Sequence, residues 1–121
     1  MTARLAAMLV GVLMALPGAA LEAVEIGQGA VLRGLDKITG TVTDFDLRPG
    51  ASAQMGRLSL TLGECRYPEG NPAGDAYAFL TVVEEGRDAP VFSGWMIASA
   101  PALNAMDHSR YDIWVLRCIT A

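Results

Sequence analysis

From Gly29 onward, apolar residues in this chain recur with the period of strands, and that spacing limits the fold more than any other feature. Leu58, Leu60 and Leu62 alternate with Arg57, Ser59 and Thr61, so an extended segment there has one apolar side and one wet side. Residues 30–35 and 38–42 flank Asp36-Lys37, which suits a tight hairpin turn. Ile38 and Val42 are even-numbered whereas Phe45 and Leu47 are odd, which predicts a bulge or bend near Thr43-Asp44. Arg48-Pro49-Gly50 reads as the next turn. Cys65 falls out of phase with the three leucines, so Gly63 is predicted to carry a second bulge.

Residues 67–75 (YPEGNPAGD) form the one long loop, and residues 76–83, apolar on both sides, read as a central strand. Glu84 to Asp88 turns the chain into a strand running from Pro90 to about Ile97. Ser99-Ala100-Pro101 reads as the start of a helix of barely two turns, with Leu103 and Met106 on one side. Tyr111 to Ile119 is the final strand. The fold class is mainly all-β: a small antiparallel barrel or sandwich of about seven short strands, with one short helix before the last.

The first twenty residues have a different character. One charge, Arg4, precedes an unbroken apolar run from Leu5 to Leu16; Pro17 ends it, and Gly18-Ala19-Ala20 supplies the small residues a signal peptidase reads. The run is too short to span ~30 Å of hydrocarbon. A core helix would not account for the lone arginine, and Leu21 stands where a lipoprotein has cysteine. Residues 1–20 therefore read as a cleaved signal peptide, 21–28 as a short tether, and 29–121 as a single β-domain. This reading puts the protein in the periplasm with no transmembrane span after cleavage.

The chain has nine Lys and Arg against thirteen Asp and Glu. Loss of Arg4 with the leader makes the domain one charge more negative still, and its cations are scattered singly from Arg33 to Arg117. Nucleic acid is thus excluded as a partner. Two cysteines, Cys65 and Cys118, both lie in the exported part. In an oxidising compartment they are expected to form a disulfide. It would close a loop of about 53 residues, worth roughly 4 kcal/mol on the chain-entropy account.

Candidate chemistry is sparse. His108 is the only histidine, and with Ser99 or Ser109 and a nearby aspartate it suggests a small hydrolase. The chain has no G-x-S-x-G elbow, however, and a His108–Asp112 hydrogen bond tying the short helix to the last strand is the simpler expectation. Asp36 to Thr41 nearly spells the D-K-T-G-T of P-type ATPases, but Ile38 breaks the spacing. Asp44 with Asp46, and Glu69, Asn71 and Asp75, fall short of a calcium loop or a glycosidase pair. No catalytic residue, metal or cofactor is assigned. Phe92, Trp95, Tyr111 and Trp114 gather half of the chain's aromatics into its last third. On neighbouring strands they would pack across the sheet; exposed, with His108 and Asp112, they would form a binding surface.

Three stretches carry a family resemblance: residues 31–40 (VLRGLDKITG), Phe92-Ser93-Gly94-Trp95-Met96 with Ala98, Ser99 and Pro101, and residues 111–116 (YDIWVL) leading to Cys118. Together they resemble the exported bacterial proteins grouped as domain of unknown function 2155, and Cys65 and Cys118 match the family's paired cysteines. The resemblance implies a Gram-negative source, export and the disulfide. It also implies a gene neighbourhood shared with an accessory subunit of respiratory NADH dehydrogenase. The expectation is a non-catalytic periplasmic binding or assembly module. The alternatives are a small cell-envelope hydrolase using His108, or an accessory protein docked on a membrane complex of the respiratory chain.

Overall fold

Eight strands and one 3-10 turn make up the regular structure of residues 23–121, the part of the chain that the computed structural model describes. The leader expected over residues 1–20 lies outside the described residues. The strands are β1 (Val24–Ile26), β2 (Gly29–Asp36), β3 (Val42–Leu47), β4 (Ser52–Met55), β5 (Leu58–Pro68), β6 (Tyr77–Glu84), β7 (Phe92–Ile97) and β8 (Tyr111–Ile119). They form two antiparallel sheets. In the first, β1-β5-β6-β7 run side by side and β4 pairs with the other end of β5; in the second the order is β3-β2-β8. The sheets pack face to face as a sandwich, with β7 and β8 at open edges.

The alternation of Leu58, Leu60 and Leu62 is borne out: all three are fully buried in one core with Leu80 and Val82 of their own sheet and Leu32, Ile113 and Val115 of the other. Burying each such side chain contributes about 1.5–3 kcal/mol. Gly63 carries the expected bulge, since Leu62 pairs with Leu80 and Glu64 with Phe79, which leaves Gly63 unopposed. A second bulge lies in β8, where Val31 opposes Arg117 and Leu32 opposes Val115, leaving Leu116 out. Cys65 and Cys118 are bonded, with Cα atoms 5.6 Å apart, and join the long strand of one sheet to the last strand of the other.

The structure corrects four local expectations. The β2–β3 connection spans residues 37–41 instead of a two-residue turn, closed by Asp36 N–H to the Thr41 carbonyl and by Gly40 in the left-handed region. Ile38 belongs to that loop and is exposed, so β3 needs no bulge: Val42, Asp44 and Asp46 share its wet side, and the β2–β3 register is unbroken. The expected short helix is one 3-10 turn, Pro101–Leu103, without a side-chain cap, because Leu103 stays in solvent while Met106 alone reaches the core. Two strands were not legible beforehand. β1 occupies part of the segment read as a tether and pairs with residues 66–68, and β4 turns into β5 through Gly56-Arg57.

Candidate functional site

The six side chains that could form a binding surface are separated by the sandwich. β7 and β8 follow one another in sequence but belong to opposite sheets, so Trp95 and Trp114 do not pack across one sheet. Phe92 packs against the core. Tyr111 also turns inward; its hydroxyl lies against Gly56 in the β4–β5 turn, so closely that a Cβ there would stand 2.1 Å from it. Trp95 lies on the outer side of the first sheet and is already engaged. Phe79 meets it edge-on at 5.3 Å, and the Arg66 guanidinium sits over its ring at 4.8 Å while ion-paired with Glu64.

His108 is held at one end of the sandwich by Glu84, and the expected bond to Asp112 is not formed. Its Nε2 lies 2.9 Å from Glu84 Oε2, and its Nδ1 accepts the main-chain N–H groups of Arg110 and Tyr111 at 3.0 and 3.1 Å. With Nδ1 accepting, the ring proton belongs on Nε2, and Glu84 receives it. That hydrogen bond, above all, keeps the Glu84 carboxyl below its ordinary value. Both ring nitrogens are occupied, so His108 has no lone pair free to take a proton from a serine. Ser99, one of the two hydroxyls considered, donates to Asp75 at 2.6 Å instead.

Beside it, Asp36 is the one buried charged residue among those described. Arg110 grips it through Nε and Nη2, Ile38 and Thr39 donate their N–H groups, and the carboxyl is lowered to about 2, chiefly by the Arg110 hydrogen bonds. Lys37 donates to the His108 carbonyl at 2.6 Å. This network clamps the β2–β3 loop to the segment entering β8. Asp44 is likewise committed, taking Arg33 in a two-point pair at 2.8 and 3.0 Å that lowers its carboxyl value.

Asp112 and Trp114 are arranged differently. They lie two residues apart on the outer side of β8 and face a cleft of about 450 Å³ at the seam between the edges of the two sheets. Met96 and Ile113 make its buried floor, Ile97 flanks it from β7, and Pro101, Ala102 and Ala105 form the exposed opposite wall. The size falls in the range of small-ligand sites, ~300–1,000 Å³. Asn104 fixes the wall by donating from Nδ2 to the Trp95 carbonyl at 2.8 Å, across Gly94, where a Cβ would come within 2.9 Å of that nitrogen. Sequence reasoning found Asp112 and Trp114 but not the wall, whose small residues carry no chemical signal of their own.

A family model described as "Uncharacterized protein conserved in bacteria (DUF2155)" matches residues 30–118. Among curated proteins the chain is similar to "Uncharacterized protein RP359" of Rickettsia prowazekii (strain Madrid E), with 29% identity over 87 residues. The match covers 69% of this chain and 56% of that protein, so the chain spans little more than half of its relative. No solved structure matches it.

Proposed function

The chain belongs to the bacterial family DUF2155, and from that premise we propose that it works in the periplasm of Gram-negative bacteria as a non-catalytic binding module whose β7–β8 cleft receives part of a partner protein. The observation that carries this reading is the contrast between Trp114 and the other candidates. Trp95, Tyr111, His108 and Asp44 are each consumed by partners within the domain, whereas Trp114 and Asp112 face a cleft. The hydrolase alternative requires His108 as a base, and the hydrogen bonds to both of its nitrogens argue against that role. A disulfide within a bacterial domain agrees with an address outside the cytoplasm. The partner is proposed to be a periplasmic protein or the periplasmic part of a membrane complex.

In-cell photocrosslinking tests this. A benzoylphenylalanine at Ala105, on the cleft wall, is expected to give one discrete adduct that Trp114→Ala abolishes. The same group at Glu85, in the β6–β7 loop, is expected to give none. Equal adducts at both positions, or none at Ala105, would overturn the reading. N-terminal sequencing of the mature protein from periplasm, expected to begin at Leu21, tests the address; full-length protein in the cytoplasm would refute it.

A further inference from the structure

We infer that the β7–β8 cleft recognises an arginine side chain presented by an extended segment of a partner protein, a proposal that rests on the binding-module reading above and specifies its ligand. Five described acidic residues are not fully exposed: Asp36, Glu64, Asp75, Glu84 and Asp112. The first four are each satisfied within the chain, by Arg110, Arg66, Ser99 and His108 respectively. Asp112 alone has no hydrogen bond or ion pair among the described residues. A carboxylate that faces a cleft and is left without a protein partner is placed to receive a cation through charge-assisted hydrogen bonds.

Trp114 supplies the second half of the site. This domain twice builds a carboxylate–guanidinium–aromatic stack from its own residues: Glu64 with Arg66 over Trp95, and Asp36 with Arg110 over Tyr111 at 5.2 Å. Asp112 and Trp114 bring the same carboxylate and aromatic ring together on one side of β8, with no guanidinium of the described residues over the indole. Arg33 is the cross-strand neighbour of Trp114, but Asp44 holds it at two points. A planar guanidinium fits both components, since it can bond a carboxylate as a fork and stack on an indole, which an ammonium does less well.

The seam points to a chain segment as the source. Ala98 N–H bonds to the Ala76 carbonyl and Lys37 N–H to the Arg110 carbonyl. The alternation of antiparallel ladders then turns the N–H of Ile97 and both main-chain groups of Ile113 toward the open edges, while the Ile97 carbonyl accepts the Ala100 N–H at 3.2 Å. An extended segment lying there can bond to those edges while its arginine enters the cleft. The net charge of the chain, −4, favours a basic partner.

The test uses disulfide-bonded, ¹⁵N-labelled protein purified from periplasm and three probes: acetyl-Val-Arg-Val-amide, its citrulline counterpart, and ethylguanidinium. The arginine peptide is expected to shift the Trp114 indole N–H and the amides of residues 112–114. Its Kd is expected to be at least ten-fold lower than that of either other probe. Asp112→Asn is expected to bring arginine-peptide affinity down to the citrulline level and to leave citrulline binding and Tm unchanged. Equal binding of the two peptides would overturn the arginine assignment while sparing the binding module. Ethylguanidinium matching the arginine peptide would overturn the segment and point to a small ligand. Absence of any shift in the cleft would overturn the inference, leaving the crosslinking experiment to decide the broader reading.

Discussion

Cys65 and Cys118 each stand two residues beyond a bulged position, Gly63 in β5 and Leu116 in β8, and the two bulges turn both sulfurs into the core. Before the bulges, the even-numbered leucines of β5 and the odd-numbered Ile113 and Val115 of β8 point inward; after them the inward parity is reversed in each strand. Had both strands kept plain alternation through these positions, residues 65 and 118 would face outward on opposite sheets.

Replacing both cysteines by alanine is therefore expected to cost about 4 kcal/mol on the chain-entropy account, read as a drop in urea midpoint that reductant also produces in the wild type. Deleting Gly63 alone removes the extra residue but leaves Glu64 opposite Phe79 and Cys65 opposite Ala78, so Cys65 is expected still to face Cys118. Thiol titration under native conditions is expected to find no free thiols in that variant, as in the parent; two free thiols would show that the bulge itself aims the sulfur.

Asp36 makes stability depend on acid. Its carboxyl is lowered from 3.8 to about 2, so the folded state holds it ionised more tightly than the unfolded chain does. Its contribution is fully present above the ordinary carboxyl value and is lost as pH falls through about 2. Glu84, also lowered, adds a loss of the same sign. Urea midpoints measured from pH 6 to pH 2 should fall less steeply for Asp36→Asn than for the wild type. Parallel curves would contradict this.

His108 should behave as a cap rather than as a base. His108→Ala leaves the N–H groups of Arg110 and Tyr111 without their acceptor and is expected to cost about 1–3 kcal/mol. His108→Asn places a carbonyl oxygen near the position of Nδ1 and should recover part of that loss. Equilibrium unfolding of the two variants distinguishes the cap from an indifferent surface histidine.

Gly56 and Gly40 offer a matched comparison, since both adopt positive φ, 59° and 79°. Alanine at Gly40 meets nothing within 4 Å and pays only backbone strain, about 1 kcal/mol. Alanine at Gly56 collides with Tyr111 as well, so its loss of stability should be clearly larger. Equal losses would show that Tyr111 can leave the turn freely.

Much of this architecture is legible in the residues because period-two burial needs only local information. Leu58, Leu60 and Leu62 announce their strand, and Cys65 announces the bulge by standing out of phase with them. Ile38 misleads because a β-branched residue beside a turn looks like strand while its exposure is set by the Asp36–Arg110 clamp, 74 residues apart in sequence. β4 is obscure because Ala53 and Gln54 have no pattern of their own, although the Gly-X pair at Gly56-Arg57 is a hairpin signal. Asp112 and Trp114 could be picked out as chemistry-bearing residues. Their lack of internal partners could not, since it depends on where Arg33 and Arg66 settle.

By itself, the order of residues determined an all-β chain with a leader-like start, a bulge at Gly63 and a cysteine pair suited to an oxidising compartment, because each follows from local sterics or composition. The tertiary structure alone decided which sheet each strand joins, and so which candidates meet. Residues close in sequence, Trp95 and Trp114, went to opposite sheets, whereas Asp36 and Arg110 were brought to 2.9 Å. Long-range pairing is settled by burying the whole core at once, and no local pattern encodes that sum.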